Sequence, residues 1–169
     1  MTMIGVAEAK PRRTDQRELR ERYLQALGLI ERLHRQLLDV IKDDFERGGG
    51  WDINSVQALL LFNIGDEEMT AGELRSRGHY LGSNVSYNLK KLVDAGYIHH
   101  ERSNVDRRSV RVRLTDTGRE VHKRVDELFA RHLESIEEIG GISADDFTEV
   151  NKSLIRLERF WSDQIRYRL

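Results

Sequence analysis

Cysteine is missing from this sequence, and proline occurs once, at Pro11. Without a thiol the chain can form no disulfide framework, no thiolate metal site, no thiol nucleophile and no thiol-based oxidant sensor. No apolar run approaches the roughly 18 residues of a membrane span, and residues 1–13 lack the apolar stretch of a secretory signal. These absences predict a cytoplasmic protein that is not anchored in a membrane, with residues 1–14 as a disordered tail.

A large net charge is also absent, because 28 Lys and Arg residues face 29 Asp and Glu residues. The charge is nevertheless unevenly distributed. Residues 75–119 contain ten Lys or Arg and four acids, so this segment carries +6 and the remainder of the chain carries −7. Binding to nucleic acid depends on where positive charge lies rather than on its sum. Residues 75–119 are therefore the candidate surface for a polyanion.

Most of the sequence shows the spacing of three and four between apolar residues that is typical of amphipathic helices. The predicted helices cover residues 15–45, 54–64, 70–77, 84–95, 116–139 and 143–169. The three-residue spacing of an N-terminal capping box occurs at Asn54 with Gln57, Thr70 with Glu73 and Ser143 with Asp146. Two further N-caps are predicted at Ser83 and Thr115. Glycines at 48–50 and 140–141 end two of these helices.

The segment 84–95 has the composition of a helix that reads DNA. Val85, Leu89 and Leu92 fall on one face and are predicted to be core, which leaves polar residues outside. Amide side chains can pair with adenine, lysine can pair with guanine or phosphate, and hydroxyl groups can pair with either. The predicted DNA contacts of this region are Ser83, Asn84, Ser86, Tyr87, Asn88, Lys90 and Lys91.

A β hairpin is predicted directly after this helix. Apolar and basic residues alternate with a period of two over residues 110–114, as in a half-buried strand, and residues 98–102 are the expected partner. A helix-turn-helix followed by a basic hairpin is the layout of a winged helix DNA-binding protein. In the loop 103–109, Asp106 can cap its own turn or hold Arg108 extended towards a groove, and both roles are compatible. The predicted contacts of the hairpin are Asp106, Arg107, Arg108 and Arg111.

The chain resembles the MarR family of bacterial winged helix-turn-helix regulators over nearly its whole length after the tail. The most specific part is Asp106-Arg107-Arg108 followed by Leu114-Thr115 and Gly118, which resembles the wing signature of that family. Within the family, residues 80–93 and 160–169 are most similar to LdtR-type regulators, which are linked to control of L,D-transpeptidase genes. The resemblance implies an obligate homodimer and transcriptional control that a small molecule modulates.

The predicted fold is mainly α with a small β wing. A winged helix-turn-helix DNA-binding domain spans residues 52–115, and a helical dimerisation region comprises residues 15–47 and 116–169. The apolar faces of the terminal helices exceed what one small head can cover, which independently favours a second copy. The two heads would then face successive major grooves, about 34–36 Å apart, on an inverted repeat of double-stranded DNA. Arg108 would enter the adjoining minor groove.

A small, noncovalent and aromatic effector is predicted in a cleft between the dimerisation helices and the DNA-binding head. Binding would favour one spacing of the two heads. The candidate contacts, each of which can also be an ordinary core or surface residue, are Tyr23, His34, Trp51, Phe62 and His132.

Two other functional classes are compatible with the composition. A metal-dependent enzyme would use the six histidines, but His99 and His100 point to opposite faces of a strand, and His122 and His132 lie about 280° apart around a helix. We therefore predict no catalytic site, metal or cofactor. The alternative to a DNA-binding regulator is a helical protein-interaction module with an incidental basic patch. Its affinity would depend little on salt, unlike that of a protein with several phosphate contacts.

Overall fold

The computed structural model describes residues 16–70, 73–74, 82–102 and 110–167, and these segments are mostly helical with one small sheet. The helices are α1 (Gln16–Gly48), α2 (Ser55–Ile64), α3 (Gly82–Asp94), α4 (Asp116–Ile136) and α5 (Ala144–Tyr167). The strands are β1 (Met69–Thr70), β2 (Ile98–Arg102) and β3 (Val110–Leu114). The mainly α fold with a β wing is thus confirmed. None of the described helices is both long enough and apolar enough to cross a membrane.

The predicted capping boxes are formed. The Asn54 side chain accepts a hydrogen bond from the Gln57 amide at 2.9 Å, and the Gln57 side chain accepts one from the Asn54 amide at 3.1 Å. Each such pair satisfies amide groups that have no partner inside the helix. The same reciprocal arrangement occurs in the pairs Thr70–Glu73 and Ser143–Asp146. Hydrogen bonds from the Ser143 side chain and backbone hold the pKa of Asp146 below its ordinary value.

Some predicted helix boundaries differ from the structure by a few residues. Helix α1 extends past residue 45 and ends at Gly48, at the predicted glycine stop, where the Gly49 amide still donates to the Phe45 carbonyl at 3.1 Å. Helix α4 ends at Ile136 rather than at residue 139, because the chain turns ahead of Gly141, whose φ of +65° leaves helical geometry. Helix α3 begins at Gly82, so Ser83 lies inside the helix and is not its N-cap.

The sheet is antiparallel with the strand order β1-β3-β2. The β2–β3 hairpin has the predicted strands, with Ile98 opposite Leu114 at its base. Strand β1 was not predicted, because two residues are too few to show an alternating pattern. Its Met69 pairs with Val112 and places the segment before the helix-turn-helix on the central strand. Strand β1 therefore pairs with the edge of β3 that is opposite to β2, and it supports the wing from that side.

A single hydrophobic core joins α1, α2, α3, α4 and the sheet. Phe62 on α2 stacks on His122 of α4, with ring centroids 5.2 Å apart, and meets Phe129 edge to face at 5.1 Å. The largest fully buried side chains are Ile41, Leu60, Leu61, Ile64, Leu74, Leu92, Val112, Leu114, Val121 and Val125. Helix α5 differs from the others, because none of its described residues is buried in the protomer.

The wing and α4 meet the end of α3 at one tight junction. The Thr115 hydroxyl donates to the Gly96 carbonyl at 2.7 Å and accepts from the Gly118 amide at 3.1 Å, while the Thr115 amide donates to the Tyr97 carbonyl at 3.0 Å. A Cβ on residue 118 would overlap that Tyr97 carbonyl oxygen. The Leu114-Thr115 and Gly118 part of the signature therefore has a structural role, in which residue 118 must be glycine. We name Gly96, Tyr97, Thr115 and Gly118 the wing junction.

We predict that Gly118→Ala destabilises the protein by about 1–3 kcal/mol, the range for overpacking, since the new methyl group meets backbone that cannot move aside. Gly28→Ala is the matched control. Gly28 lies in the interior of α1 with open space where a Cβ would be, so alanine should stabilise the helix by about 0.5–1 kcal/mol. Urea denaturation at one fixed protein concentration measures both changes. Equal stability of the Gly118→Ala and wild-type proteins would contradict the close packing of the junction.

Candidate nucleic-acid interface

Helix α3 has one buried face and one polar face. Leu89 and Leu92 are buried as predicted, and they fix the rotation of the helix about its axis. Tyr87 is 63% exposed. The other predicted contacts on this helix are outward or half-buried: Ser86, Asn88, Lys90 and Lys91. The side chains of Ser83, Asn84 and Val85 lie outside the described part of the chain.

The C-terminal end of α3 is fixed by its backbone. The Tyr97 amide donates to the Leu92 carbonyl at 2.9 Å, and the Gly96 amide donates to the Val93 carbonyl at 3.0 Å. With φ of +79° at Gly96, this is the Schellman arrangement that ends helices at glycine. The chain then enters β2 directly, so α3 and the hairpin share one rigid corner.

Tyr97 connects this corner to the segment before α2. Burial raises the pKa of the Tyr97 phenol, and the nearby Asp52 carboxylate raises it further, while a hydrogen bond with the Asp52 backbone acts in the opposite direction. The phenol therefore stays protonated near neutral pH. The contact of Asp52 with Tyr97 was not predicted from the sequence, because the two residues are 45 positions apart and no spacing rule connects them.

Positive charge on α3 is available for binding. The Lys91 ammonium lies 5.7 Å from the centre of the Tyr87 ring, at the (i, i+4) spacing that makes helical side chains neighbours. Within the described segments, neither Lys90 nor Lys91 forms an ion pair with an acidic side chain. Two cations and an exposed phenol thus share one surface, which suits contact with phosphates and base edges.

The hairpin alternates as predicted, with Val112 and Leu114 buried and Arg111 and Arg113 exposed. Arg111 is not free, however, because it forms an ion pair with Glu68 at 2.8 Å. The hydrogen bond to Glu68 and its negative charge raise the pKa of Arg111 above its ordinary value.

Arg113 lies 3.6 Å from Glu101 on the neighbouring strand. Glu68 was missed in the sequence because the strand it precedes is so short. The predicted loop contacts Asp106, Arg107 and Arg108 lie outside the described residues.

The five effector candidates lie in separate surroundings. The Tyr23 hydroxyl accepts from Trp161 of α5 at 3.3 Å. Trp51 packs edge to face on Phe45, with centroids 6.0 Å apart. Phe62 contacts His122 and Phe129 inside the head, and His34 and His132 are exposed. The described contacts of a single protomer therefore do not join these residues in one cleft. Across the same segments, no group of three His, Asp or Glu side chains is arranged to hold a metal ion.

A helix with a polar and cationic outer face, held against a β hairpin by a rigid corner, defines a winged helix protein of the nucleic-acid-binding class. Residues 53–118 match the family described as "Winged helix DNA-binding domain". The chain is 34% identical over 145 residues to the exopolysaccharide II synthesis transcriptional activator ExpG of Rhizobium meliloti (strain 1021), covering 86% of this chain and 74% of ExpG.

Solved structures of similar fold include two complexes with DNA. Streptococcus pneumoniae FabT bound to DNA matches with a TM-score of 0.63 and 25% identity, over 83% of this chain and 98% of FabT. A cysteine-to-serine mutant of MarR from E. coli, complexed with operator DNA, matches with a TM-score of 0.65 and 19% identity, over 85% and 99% of the two chains. The chain belongs to the MarR family of winged helix transcriptional regulators. It is a DNA-binding regulator rather than an enzyme, which removes the protein-interaction module as an alternative.

We predict that Glu68→Gln increases affinity for duplex DNA at low salt and steepens its salt dependence. The substitution frees Arg111 for a phosphate, and each added phosphate contact makes the slope of log affinity against log salt more negative by about 0.9. Asp66→Asn is the control, since it removes the same charge two residues away. Fluorescence anisotropy across a salt series measures the slope. Identical slopes for the two variants would show that Arg111 does not reach DNA.

Proposed function

We propose that the protein binds an inverted-repeat operator as a homodimer. In this proposal residues 52–115 form the DNA-binding head, and residues 15–47 with 116–169 form the dimerisation region. Each α3 enters a major groove, and the two heads lie about one helical turn apart. A cytoplasmic location follows from this role.

The exposed face of α3 is the observation that carries the proposal. Leu89 and Leu92 anchor the helix from behind, while Tyr87, Lys90 and Lys91 extend from the opposite side. An α-helix fits the major groove of B-form DNA, where amide, hydroxyl and ammonium groups read base edges. The predicted readers Ser83, Asn84, Ser86 and Asn88 belong to the same helix.

Exposed apolar surface supports the dimer. Helix α5 buries none of its described residues, and Ile165 is 81% exposed. An apolar groove between α5 and Ile30 of α1 is lined by Leu154, Ile155 and Trp161. Contiguous apolar patches of this kind mark interaction surfaces in soluble proteins. A second copy is the occupant that also gives the two-fold symmetry of an inverted repeat.

The wing loop completes the proposed interface. Arg108 is assigned to the minor groove, Asp106 to orienting it and Arg107 to a neighbouring phosphate. The hairpin supports this assignment, because the paired strands β2 and β3 hold the two ends of the loop, and β2 follows directly on the end of α3. A narrow, A·T-rich minor groove has the negative potential that attracts an arginine.

Selection of genomic fragments on the purified protein tests the proposal. A two-fold symmetric motif, together with a dimer in analytical ultracentrifugation, is the expected result. A monomer, or a selected motif without symmetry, would contradict it. The same selection decides the targets. The LdtR-type resemblance stays a prediction and points to L,D-transpeptidase genes, whereas the relative ExpG is named for exopolysaccharide II synthesis.

We predict that Lys91→Ala weakens operator binding. The negative slope of log affinity against log salt should become shallower by about one per head, which is the effect of losing a phosphate contact. Lys123→Ala is the control, because Lys123 is an exposed lysine of α4 that lies 3.6 Å from Glu127. Affinities for the operator and for a scrambled duplex give the mode of contact. An equal loss on both duplexes indicates phosphate contact, and a loss confined to the operator indicates base contact. Unchanged affinity for both would remove Lys91 from the interface.

A small aromatic effector is the remaining part of the proposal. Of the five candidates, Trp51 lines a surface cavity together with Lys42, Phe45 and Ile53, at the glycine-rich end of α1. Since Trp161 is the only other tryptophan, the Trp161→Phe protein reports on Trp51 alone; ultracentrifugation first verifies that it is still a dimer, because Trp161 lines the proposed dimer groove. We expect a regulating aromatic compound to quench Trp51 fluorescence and to change operator affinity at the same concentration. A compound that changes affinity without quenching would place the effector site elsewhere.

A further inference from the structure

Among the described residues, Asp44 is the charged residue that is buried, with 8% of its surface exposed. It lies near the C-terminal end of α1 and is held by two arginines of α4. Arg124 Nε donates to Asp44 Oδ2 at 2.9 Å, and its Nη2 donates to the Asp44 carbonyl at 2.6 Å. Arg131 Nη2 donates to Asp44 Oδ1 at 2.6 Å. We name Asp44, Arg124 and Arg131 the α1–α4 clasp.

The surroundings of the clasp are shaped for Arg124. Its guanidinium lies 5.1 Å from the centre of the Phe45 ring. A Cβ on residue 48 would overlap the guanidinium, so Gly48 leaves the space that the arginine occupies. Both oxygens of Asp44 and its backbone carbonyl are therefore bonded to α4, and the ring and the glycine fix the direction of approach.

Because Asp44 is buried, the clasp restricts the relative orientation of α1 and α4 in addition to holding them together. A buried carboxylate is stable only when hydrogen bonds replace its water, and removing a partner leaves an uncompensated charge. Small rotations of α1 relative to α4 would break these bonds. The exposed ion pair of the adjacent residue, Asp43 with Arg47, has both side chains in solvent and does not restrict geometry in this way.

Helix α4 connects the clasp to the DNA-binding head. Its first turn contains Gly118 of the wing junction, which contacts the end of α3. Arg131 lies 13 residues further along, roughly 20 Å at 1.5 Å per residue. Helix α4 is thus linked at one end, through its N-cap Thr115, to the turn that follows the recognition helix, and at the other end it is bonded to the dimerisation helix α1.

We infer that Asp44 is a positioning residue that, through Arg124 and Arg131, sets the angle of each DNA-binding head on its dimerisation helices and hence the operator spacing that the dimer prefers. The inference rests on the proposed function, because spacing has meaning only for two heads on one duplex. Asp44 itself does not contact DNA. One base pair of added spacing turns a half-site by roughly 35°, so a fixed head angle selects among spacings.

Asp44→Asn tests the inference, since it keeps the size of the side chain and removes its charge. Asp43→Asn is the matched control, with the same change at the next residue in an exposed pair. Full-length dimers of each are titrated with the selected operator and with operators whose half-site spacing is changed by one or two base pairs. Ultracentrifugation and circular dichroism on the same samples report dimerisation and folding.

We expect Asp44→Asn to remain dimeric, to bind the preferred spacing about tenfold more weakly, as when one dimer in ten has both heads correctly oriented, and to discriminate less between spacings. The control should keep the wild-type profile. A loss that is equal at all spacings indicates a purely structural role and overturns the inference, as does an unchanged profile. Failure of the wild-type protein to dimerise or to select a two-fold motif would instead contradict the proposed function.

Two further variants keep the test decisive if Asp44→Asn does not fold. Arg131→Ala removes the more exposed arginine of the clasp. Gly48→Ala displaces the Arg124 guanidinium without changing any charge. Both should broaden the spacing profile in the same way. Wild-type spacing profiles in both folded variants would overturn the inference.

Discussion

The close approach of α4 to the Tyr97 carbonyl, which Gly118 permits, is the constraint on which the arrangement of this protein depends. Hydrogen bonds join the end of α3, the base of the hairpin and the start of α4 at this point. Because Thr115 makes three of these bonds, with Gly96, Tyr97 and Gly118, we expect the three elements to move together. The surface that we propose to contact DNA would therefore behave as one body, whose orientation depends on what holds α4.

Charge is distributed to suit this architecture. The chain as a whole has a net charge of −1, yet Lys90 and Lys91 stand unpaired by acids within the described segments, while Arg111 and Arg113 have glutamate partners. Exposed ion pairs are weak and are exchanged readily for phosphate. In the proposed complex, the lysines of α3 are available to DNA at once, whereas the arginines of the hairpin become available when DNA phosphates replace their glutamate partners. Such an arrangement favours correct docking over diffuse attraction.

Local patterns predicted much of the fold but not its long-range contacts. Capping boxes and alternation depend on residues two to four apart, so Asn54 with Gln57 and the hairpin strands could be identified from the sequence. The clasp joins Asp44 to residues 80 and 87 positions away, and no periodicity links them. The apolar stripe of α3 likewise predicted which polar residues lie on its outer face. The partner of Arg111 could not be predicted, because it is positioned by a two-residue strand that has no detectable period.

Native-state hydrogen exchange tests most directly whether the end of α3, the base of the hairpin and the start of α4 open and close as one unit. The amides of Thr115 and Gly118 donate bonds within the junction, and the Tyr97 amide donates to Leu92 at the end of α3. The amides of Val121 and Val125 lie in the buried part of α4. If the junction unites them, all five amides exchange through one opening reaction with the same free energy and the same urea dependence. Exchange of the junction amides through a separate opening of low free energy and little urea dependence, while the α4 amides stay protected, would contradict the account.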